Sequence, residues 1–186
     1  MIITVSGLHG TGKSTYAARI ATALKLRHVS AGVLFRRVAR EKHLTLGELG
    51  KIALEDSSID KLVDEKTVDE AGKGSVVLDG QLTGWILKDR SDLRIYLTAP
   101  EHVRLQRIAR RDQLDIIEAE VQTRQRESVQ SERYLRHYGF HVGDLSIYHL
   151  VLDTSLGSIE DTAKILVAAS RMVKVARKKG TKTTKP

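Results

Sequence analysis

Residues 1–15 read MIITVSGLHGTGKST, and within them residues 7–14, GLHGTGKS, match G-x-x-x-x-G-K-[ST] at every fixed position. A short apolar, β-prone run precedes the match. Helical spacing follows it, with Ala17, Ile20, Ala21 and Leu24 on one face. Strand, glycine-rich turn and helix are the context this pattern needs. The glycines let backbone N–H groups turn inward toward phosphate oxygens, and the helix that starts there adds the positive end of its dipole. The stretch therefore predicts a site for the phosphates of a nucleotide built from Gly7, Gly10, Thr11, Gly12, Lys13, Ser14 and Thr15. Lys13 is expected to bridge the β- and γ-phosphates and Ser14 to hold Mg²⁺. A glycine-rich turn matching by accident would lack the flanking strand and helix. The motif does not say which reaction follows.

Working outward, RHVSAG, SVVLDG, DLRIYLTAP and YHLVLDTS are further strand-like runs, and helical segments separate them. Strands alternating with helices predict an α/β fold, a five-stranded parallel sheet flanked by helices. Thr45 with Glu48, and Ser158 with Asp161, have capping-box spacing. Pro100 is placed to open a helix in its first turn. From Thr45 to Gly74 no strand is predicted, which marks a helical insertion. A long charged helix is expected from about Asp115 to Tyr138.

Composition narrows the function classes. At 186 residues, 41% of them hydrophobic, the chain can form one well-buried domain. It has no apolar run long enough to span a membrane, and its first residues lack the form of a signal peptide. The absence of cysteine removes disulfide and thiolate chemistry and makes the cytoplasm the expected location. No histidine pair has metal-ligand spacing, so no metal is expected beyond the magnesium of the nucleotide. The net charge of +8 suggests an anionic partner. Seven of the cations, however, lie in residues 171–186 without one carboxylate, so residues 1–170 carry only +1. The high isoelectric point belongs mostly to the tail, which argues against nucleic acid as a partner of the whole molecule. Residues 177–186 read as a basic, unstructured tail.

Asp79 ends the strand-like run SVVLD, where a second magnesium-side carboxylate is expected; a turn former before Gly80 is the other reading. The segment QRIARRD places Arg107, Arg110 and Arg111 at i, i+3 and i+4, on one helix face. Arg126 and Arg133, seven residues apart, share another. Such a stretch is either a solvated basic helix or a lid that brings cations to a moving phosphoryl group and excludes water.

Several stretches together resemble nucleoside monophosphate kinases, and more closely the archaeal type of cytidylate kinase: ITVSGLHGTGKST, HVSAGVLFRRVAR, ALEDSSIDKLVDE, SVVLDGQLTGW, DLRIYLTAPEHVRLQRIARRD, RESVQSERYLRHYG and DLSIYHLVLDTS. The resemblance implies a single kinase domain over residues 1–176, a monophosphate-binding insertion over about 31–74 and a lid over about 107–126. It also implies phosphorylation of CMP and dCMP by ATP with Mg²⁺. Lys13, Arg107, Arg110, Arg111 and Arg126 would then be catalytic. Ser30, Arg36, Asp79, Gly80, Gln81, Arg126 and Arg133 would bind the acceptor, with Arg36 on its phosphate. A monomer is expected, with no membrane partner.

Three positions depart from the family's pattern. Gln81 stands where arginine is common, Gln130 where an acidic residue is common, and His149 where an acidic residue is commoner. If positions 81 and 130 face each other, amide hydrogen bonds replace an ion pair there, which bears on base selectivity. His149 is expected to be structural. Two other readings are a small kinase acting on AMP, UMP or a shikimate-like acceptor, and an RNA-associated NTPase whose tail grips phosphates. The second would bind with a steep salt dependence, and the tail lacks the aromatics for base stacking.

Overall fold

The computed structural model describes residues 1–180, with side chains through Val173. Its elements run β1 (Ile2–Gly7), α1 (Lys13–Leu24), β2 (Arg27–Ser30), α2 (Ala31–Glu41), α3 (Leu46–Glu55), α4 (Ser58–Gly72), β3 (Val76–Asp79), α5 (Thr83–Ile86), β4 (Leu93–Thr98), α6 (Glu101–Asp112), α7 (Ile116–Tyr138), β5 (Leu150–Asp153) and α8 (Ile159–Gly180). The five strands form one parallel sheet in the order β2-β3-β1-β4-β5. The expected architecture is therefore present. The short α5 is an element that the sequence reading did not separate.

The pleat of the strands divides the core. Ile3, Val5, Val77, Ile95 and Leu97 meet Tyr16, Ile20 and Leu24 of α1 and Leu166 of α8 on one face. Val76 and Leu78 meet Ala71 of α4 and Leu87 on the other. Strands buried on both faces read as continuous apolar runs, which is how β1 and β3 appear in the sequence. Helices α2, α3 and α4 occupy the stretch between β2 and β3 and add a separate core of Val38, Ala39, Leu49, Ala53 and Ile59.

Helix ends follow local chemistry. Thr45 accepts from the Glu48 N–H at 3.2 Å while Glu48 accepts from the Thr45 N–H at 2.8 Å, a complete capping box. Asp115 caps α7 by accepting from the Glu118 N–H at 2.8 Å. Ser158 accepts from the Asp161 N–H at 3.1 Å at the start of α8. Pro100 is the N-cap of α6, one residue before the first helical turn in which it was expected. Helix α8 continues to Gly180, into the stretch expected to be an unstructured tail; basic residue types suit the negative end of a helix. Residues 181–186 of that tail lie outside the described residues.

The carboxyl ends of the strands converge on one edge. Because β1 has β3 on one side and β4 on the other, the chain leaves the sheet there in opposite directions. That divergence opens the crevice in which ligands of such sheets bind.

Candidate active site

The loop after β1 is shaped by its backbone. Gly10 and Gly12 have φ of 79° and 86°, a region that L side chains rarely adopt. A Cβ on Gly10 would also sit 2.5 Å from the Arg104 carbonyl oxygen. Thr11 is buried and its hydroxyl donates to the Leu8 carbonyl at 2.9 Å, closing the turn. Gly12 is the N-cap of α1 and supplies no side-chain acceptor, so the first N–H groups of the helix stay available to an anion. Lys13 Nζ donates to the Leu8 carbonyl at 2.8 Å. Burial pushes its ammonium down to about 8, partly offset by Asp79.

The loop forms the floor of a cavity of about 880 Å³, lined by Gly10, Gly12, Lys13, Ser14 and Thr15. Gly7 and Thr11 do not line it; they hold the loop's shape from behind. At the end of β3, the buried Asp79 accepts from Ser14 Oγ at 2.8 Å and from Ser30 Oγ at 3.1 Å. Its other oxygen lies 2.6 Å from His28 Nε2. Ser14, Ser30 and Asp79 thus form one cluster, with Gly80 beside it. A Cβ at Gly80 would lie 2.8 Å from the Ala31 methyl, so only glycine fits between β3 and the start of α2.

The far wall sorts the predicted arginines by their partners. Arg36 and Arg126 line the cavity and make no hydrogen bond or ion pair with a described residue. Burial lowers Arg126, and the neighbouring charges of Arg111 and Arg36 add to the effect. Arg111 also lines the cavity, paired with Asp112 at 2.6 Å. Arg107 reaches the cavity, but its guanidinium is occupied. It donates to Thr154 Oγ1 at 2.8 Å, to the Thr154 carbonyl at 2.9 Å and to the Gly10 carbonyl at 3.3 Å. This ties α6 to the phosphate loop and to the end of β5. Arg133 is buried 2.9 Å from Asp60, with its guanidinium over the Phe35 and Tyr134 rings. The charges of Arg133 and Asp60 meet out of line, which leaves Arg133 Nε and Asp60 Oδ2 without a hydrogen bond.

Arg110 is a correction to the expected cluster: it is exposed and does not line the cavity. Successive helical residues are rotated by about 100°, so Arg104, Arg107 and Arg111 form the inward stripe and Arg110 falls on its outer flank. Arg104 was not singled out from the sequence, although its place three residues before Arg107 on the same helix was the available signal. It is buried, pairs with Glu127 of α7 at 2.7 Å and donates to the His9 carbonyl at 2.9 Å.

His9 is the second omission, and it occupies a variable position of the motif where no signal exists. Its Nε2 lies 2.8 Å from Gln130 Oε1 and 3.0 Å from Gln81 Nε2. The two departures Gln81 and Gln130 therefore meet through a histidine of the phosphate loop rather than directly. Burial holds His9 well below its usual range, and the Arg126 and Lys13 charges act in the same direction. Asp64, a third omission, lines the cavity beside Asp60, and burial pushes its carboxyl up to about 6. His149 stands away from the cavity, its Nδ1 accepting from the Arg94 N–H at 3.1 Å, a structural position as expected.

The arrangement can hold a polyphosphate on the loop and a second anion across from it, between Arg36 and Arg126. Residues 2–156 match the model of the cytidylate kinase-like family. A cytidylate kinase of Staphylothermus marinus is 47% identical over 166 residues, covering 89% of this chain and 94% of that protein. One from Aeropyrum pernix is 43% identical over 167 residues, covering 90% and 97%. Among solved structures, a shikimate kinase of Bacteroides thetaiotaomicron superposes with a TM-score of 0.64 at 16% identity, covering 92% of this chain and 98% of that one, a likeness of fold. On the match over 155 of its residues and on these relatives, the chain belongs to the cytidylate kinase-like family.

Proposed function

We propose that this protein transfers the terminal phosphoryl group of ATP to CMP, and to dCMP, by direct in-line displacement. The observation that carries the reading is the pair of unpartnered guanidinium groups, Arg36 and Arg126, facing the phosphate loop across one cavity. Two groups left without counter-ions in a half-enclosed space await anions. ATP seats its phosphates on the backbone of Gly10–Thr15 with Lys13 alongside. Arg36 takes the phosphate of the acceptor, for which a forked guanidinium is suited. Arg126 and Arg111 stabilise the charge that spreads over the phosphoryl oxygens in flight.

The acceptor phosphate is already an anionic nucleophile, so the reaction needs no general base and no covalent intermediate. Positioning and charge stabilisation supply the acceleration. The restrained Arg107 is a brace for the loop in this reading, and Arg133 shapes the acceptor pocket from within its ion pair.

Mg²⁺ fits the residues present. Ser14 and Asp79 place a hydroxyl and a carboxylate oxygen side by side, hard donors of the kind magnesium prefers. The ion retains several waters and is held through one or two protein oxygens and the phosphates, so it needs no larger protein cage. Its contribution would be to neutralise charge on the phosphates. Ser30 and His28 would keep Asp79 aimed at Ser14.

No helix among the described residues is long and apolar enough to cross a membrane. A chain without cysteine suits a reducing compartment, and the reading is of a cytoplasmic enzyme. A coupled assay of ADP release with CMP, dCMP, UMP, AMP and shikimate as acceptors tests the proposal. CMP is expected to give the highest kcat/KM. If AMP or shikimate did, the acceptor assignment would be wrong.

A further inference from the structure

Helix α4 turns one stripe toward the cavity. Asp60, Val63, Asp64 and Thr67 stand at i, i+3, i+4 and i+7, and all four line the wall. Two of the three polar members are committed within the protein. Asp60 is buried against Arg133 at 2.9 Å, and the Thr67 hydroxyl donates to the Val63 carbonyl at 2.8 Å. Asp64 differs. It is half-buried, and the Tyr138 hydroxyl donates to its Oδ2. Its Oδ1 has no hydrogen-bond partner among the described residues and is not sealed away from solvent.

Tyr138 does not line the cavity, so it holds the carboxylate from behind. Its own ring is fixed by neighbours. The Phe140 centroid lies 5.6 Å away and the Tyr134 ring meets it edge-on at 6.3 Å, while Phe140 stacks on Trp85 at 4.5 Å. One oxygen of Asp64 is therefore anchored and the other is left on the cavity side. Asp64 has no ion pair among the described residues, because Arg133 is engaged by Asp60. The surrounding wall is largely apolar. Val63 is the preceding residue, Phe35 covers the Arg133 guanidinium, and Leu46 and Ile86 line the same cavity.

The cavity thus has two kinds of polar wall. Lys13, Arg36, Arg111 and Arg126 suit phosphates. A free carboxylate oxygen among apolar side chains suits the opposite, a neutral flat group that brings an N–H. Cytosine brings one in its 4-amino group, from which carboxylates accept, whereas uracil has a carbonyl oxygen at that position, as thymine does. Burial pushes the Asp64 carboxyl up to about 6, which leaves it ionised and only an acceptor above neutral pH. We propose that Asp64 is a specificity-determining residue of the acceptor pocket: its Oδ1 accepts from the 4-amino group of the cytosine base and turns uracil away, and Tyr138 positions it. This assignment rests on the kinase reading for the identity of the acceptor and names the group that reads its base.

The test is calorimetric titration of the full chain with CMP, dCMP, UMP and ATP. Asp64→Asn keeps an oxygen for the Tyr138 hydroxyl and turns an NH₂ group to the cavity, a donor where an acceptor stood. Gain or loss of one oriented hydrogen bond changes binding about tenfold. In Asp64→Asn the Kd for CMP should therefore rise about tenfold and the Kd for UMP fall about tenfold, so the preference for CMP drops about 100-fold. Tyr138→Phe should lower the same preference by a smaller factor, and the Kd for ATP should not move in either variant. An unchanged ratio of CMP to UMP affinity in Asp64→Asn would overturn the assignment. Equal weakening of CMP and UMP with dCMP spared would place the carboxylate on a ribose hydroxyl and overturn it too. The unsubstituted chain needs no variant: equal affinity for CMP and UMP would refute the role of Asp64 even where neither variant folds. If no nucleoside monophosphate bound the unsubstituted chain, the kinase reading itself would fall and take this assignment with it.

Discussion

The two sides of the cavity are built by different means. On the phosphate-loop side, shape resides in the backbone: positive φ at Gly10 and Gly12, a carbonyl packed where a Cβ would sit, and the open start of α1. On the α6–α7 side, shape resides in side-chain pairs: Arg104 with Glu127, Arg107 with Thr154, Arg133 with Asp60. The loop is a finished anion site before any ligand arrives. The opposite wall divides its arginines between those that hold the wall together and Arg126, left to face the cavity with Arg36 of α2. Charge alone does not make a residue functional there. A guanidinium held by oxygens of another element is a structural cross-link, and one left unsatisfied in the cavity is free to meet an anion.

The largest effect tests the loop. Lys13→Met should lower kcat by at least about 10²–10³-fold, the cost of removing a preorganised donor from a transition state. It should not lower the melting temperature, because the ammonium it removes is penalised by burial. Activity within tenfold of the unsubstituted protein would mean that the backbone alone suffices.

The next effect separates the two kinds of arginine. Arg126→Ala should reduce kcat about 10²-fold with no loss of stability, since its removal relieves repulsion from Arg36 and Arg111. Arg104→Ala should instead destabilise the fold by about 3 kcal/mol, because Glu127 is left with its charge uncompensated. Urea unfolding and steady-state kinetics on both variants give a crossed pattern if the division holds. A parallel loss in both variants would erase it.

The same division explains what the sequence could show. The parallel sheet and the loop were legible because both are encoded locally: strand runs buried on both faces, glycines at fixed offsets, and a helix that begins at once. Asp79 was legible as a strand end. The partner of an arginine was not, because Glu127 is 23 residues from Arg104 and Thr154 is 47 from Arg107. Spacing put Arg107, Arg110 and Arg111 together, but the inward stripe is set by where α7 and the loop pack, and it takes in Arg104 and leaves out Arg110. His9 carried no signal in a motif that ignores its position. The link between Gln81 and Gln130 could be suspected from two departures of opposite charge, but not the imidazole between them.

A smaller effect appears on raising pH. Burial holds Lys13 at about 8 in the folded protein, against about 10.4 in the unfolded chain. Below pH 8 the native state carries the full penalty of a buried ammonium. Between pH 8 and about 10.4 the native state deprotonates first, and the penalty is relieved. Stability should therefore rise across that window, relative to a flat Lys13→Met control. Over the same window kcat/KM for ATP, which reports the free enzyme, should fall about tenfold per pH unit as the loop loses its cation. If both quantities fell together, general alkaline unfolding would account for the loss.

The smallest effect lies in the acceptor pocket, at a carboxylate that belongs to neither class of arginine contact. Asp64 accepts a hydrogen bond from the Tyr138 hydroxyl, yet burial outweighs this and pushes the carboxyl up to about 6, with Asp60 adding repulsion. Its unfolded value is about 3.9. The folded state therefore holds this proton more tightly, so the group's contribution is fully present below about pH 4 and is lost as pH rises through about 6. Asp64→Asn keeps an oxygen to accept from Tyr138 and removes the charge. The variant should be more stable than the unsubstituted protein at pH 7, by on the order of 1 kcal/mol, and the gap should close on acidification to pH 4. Thermal melts across that range decide the matter. If the variant were instead less stable at pH 7, the buried carboxylate would be held by Tyr138 and the nearby Arg133 as a third structural pair of the α7 wall. In that case the wall's cross-links would extend further into the acceptor pocket than the arginines alone indicate.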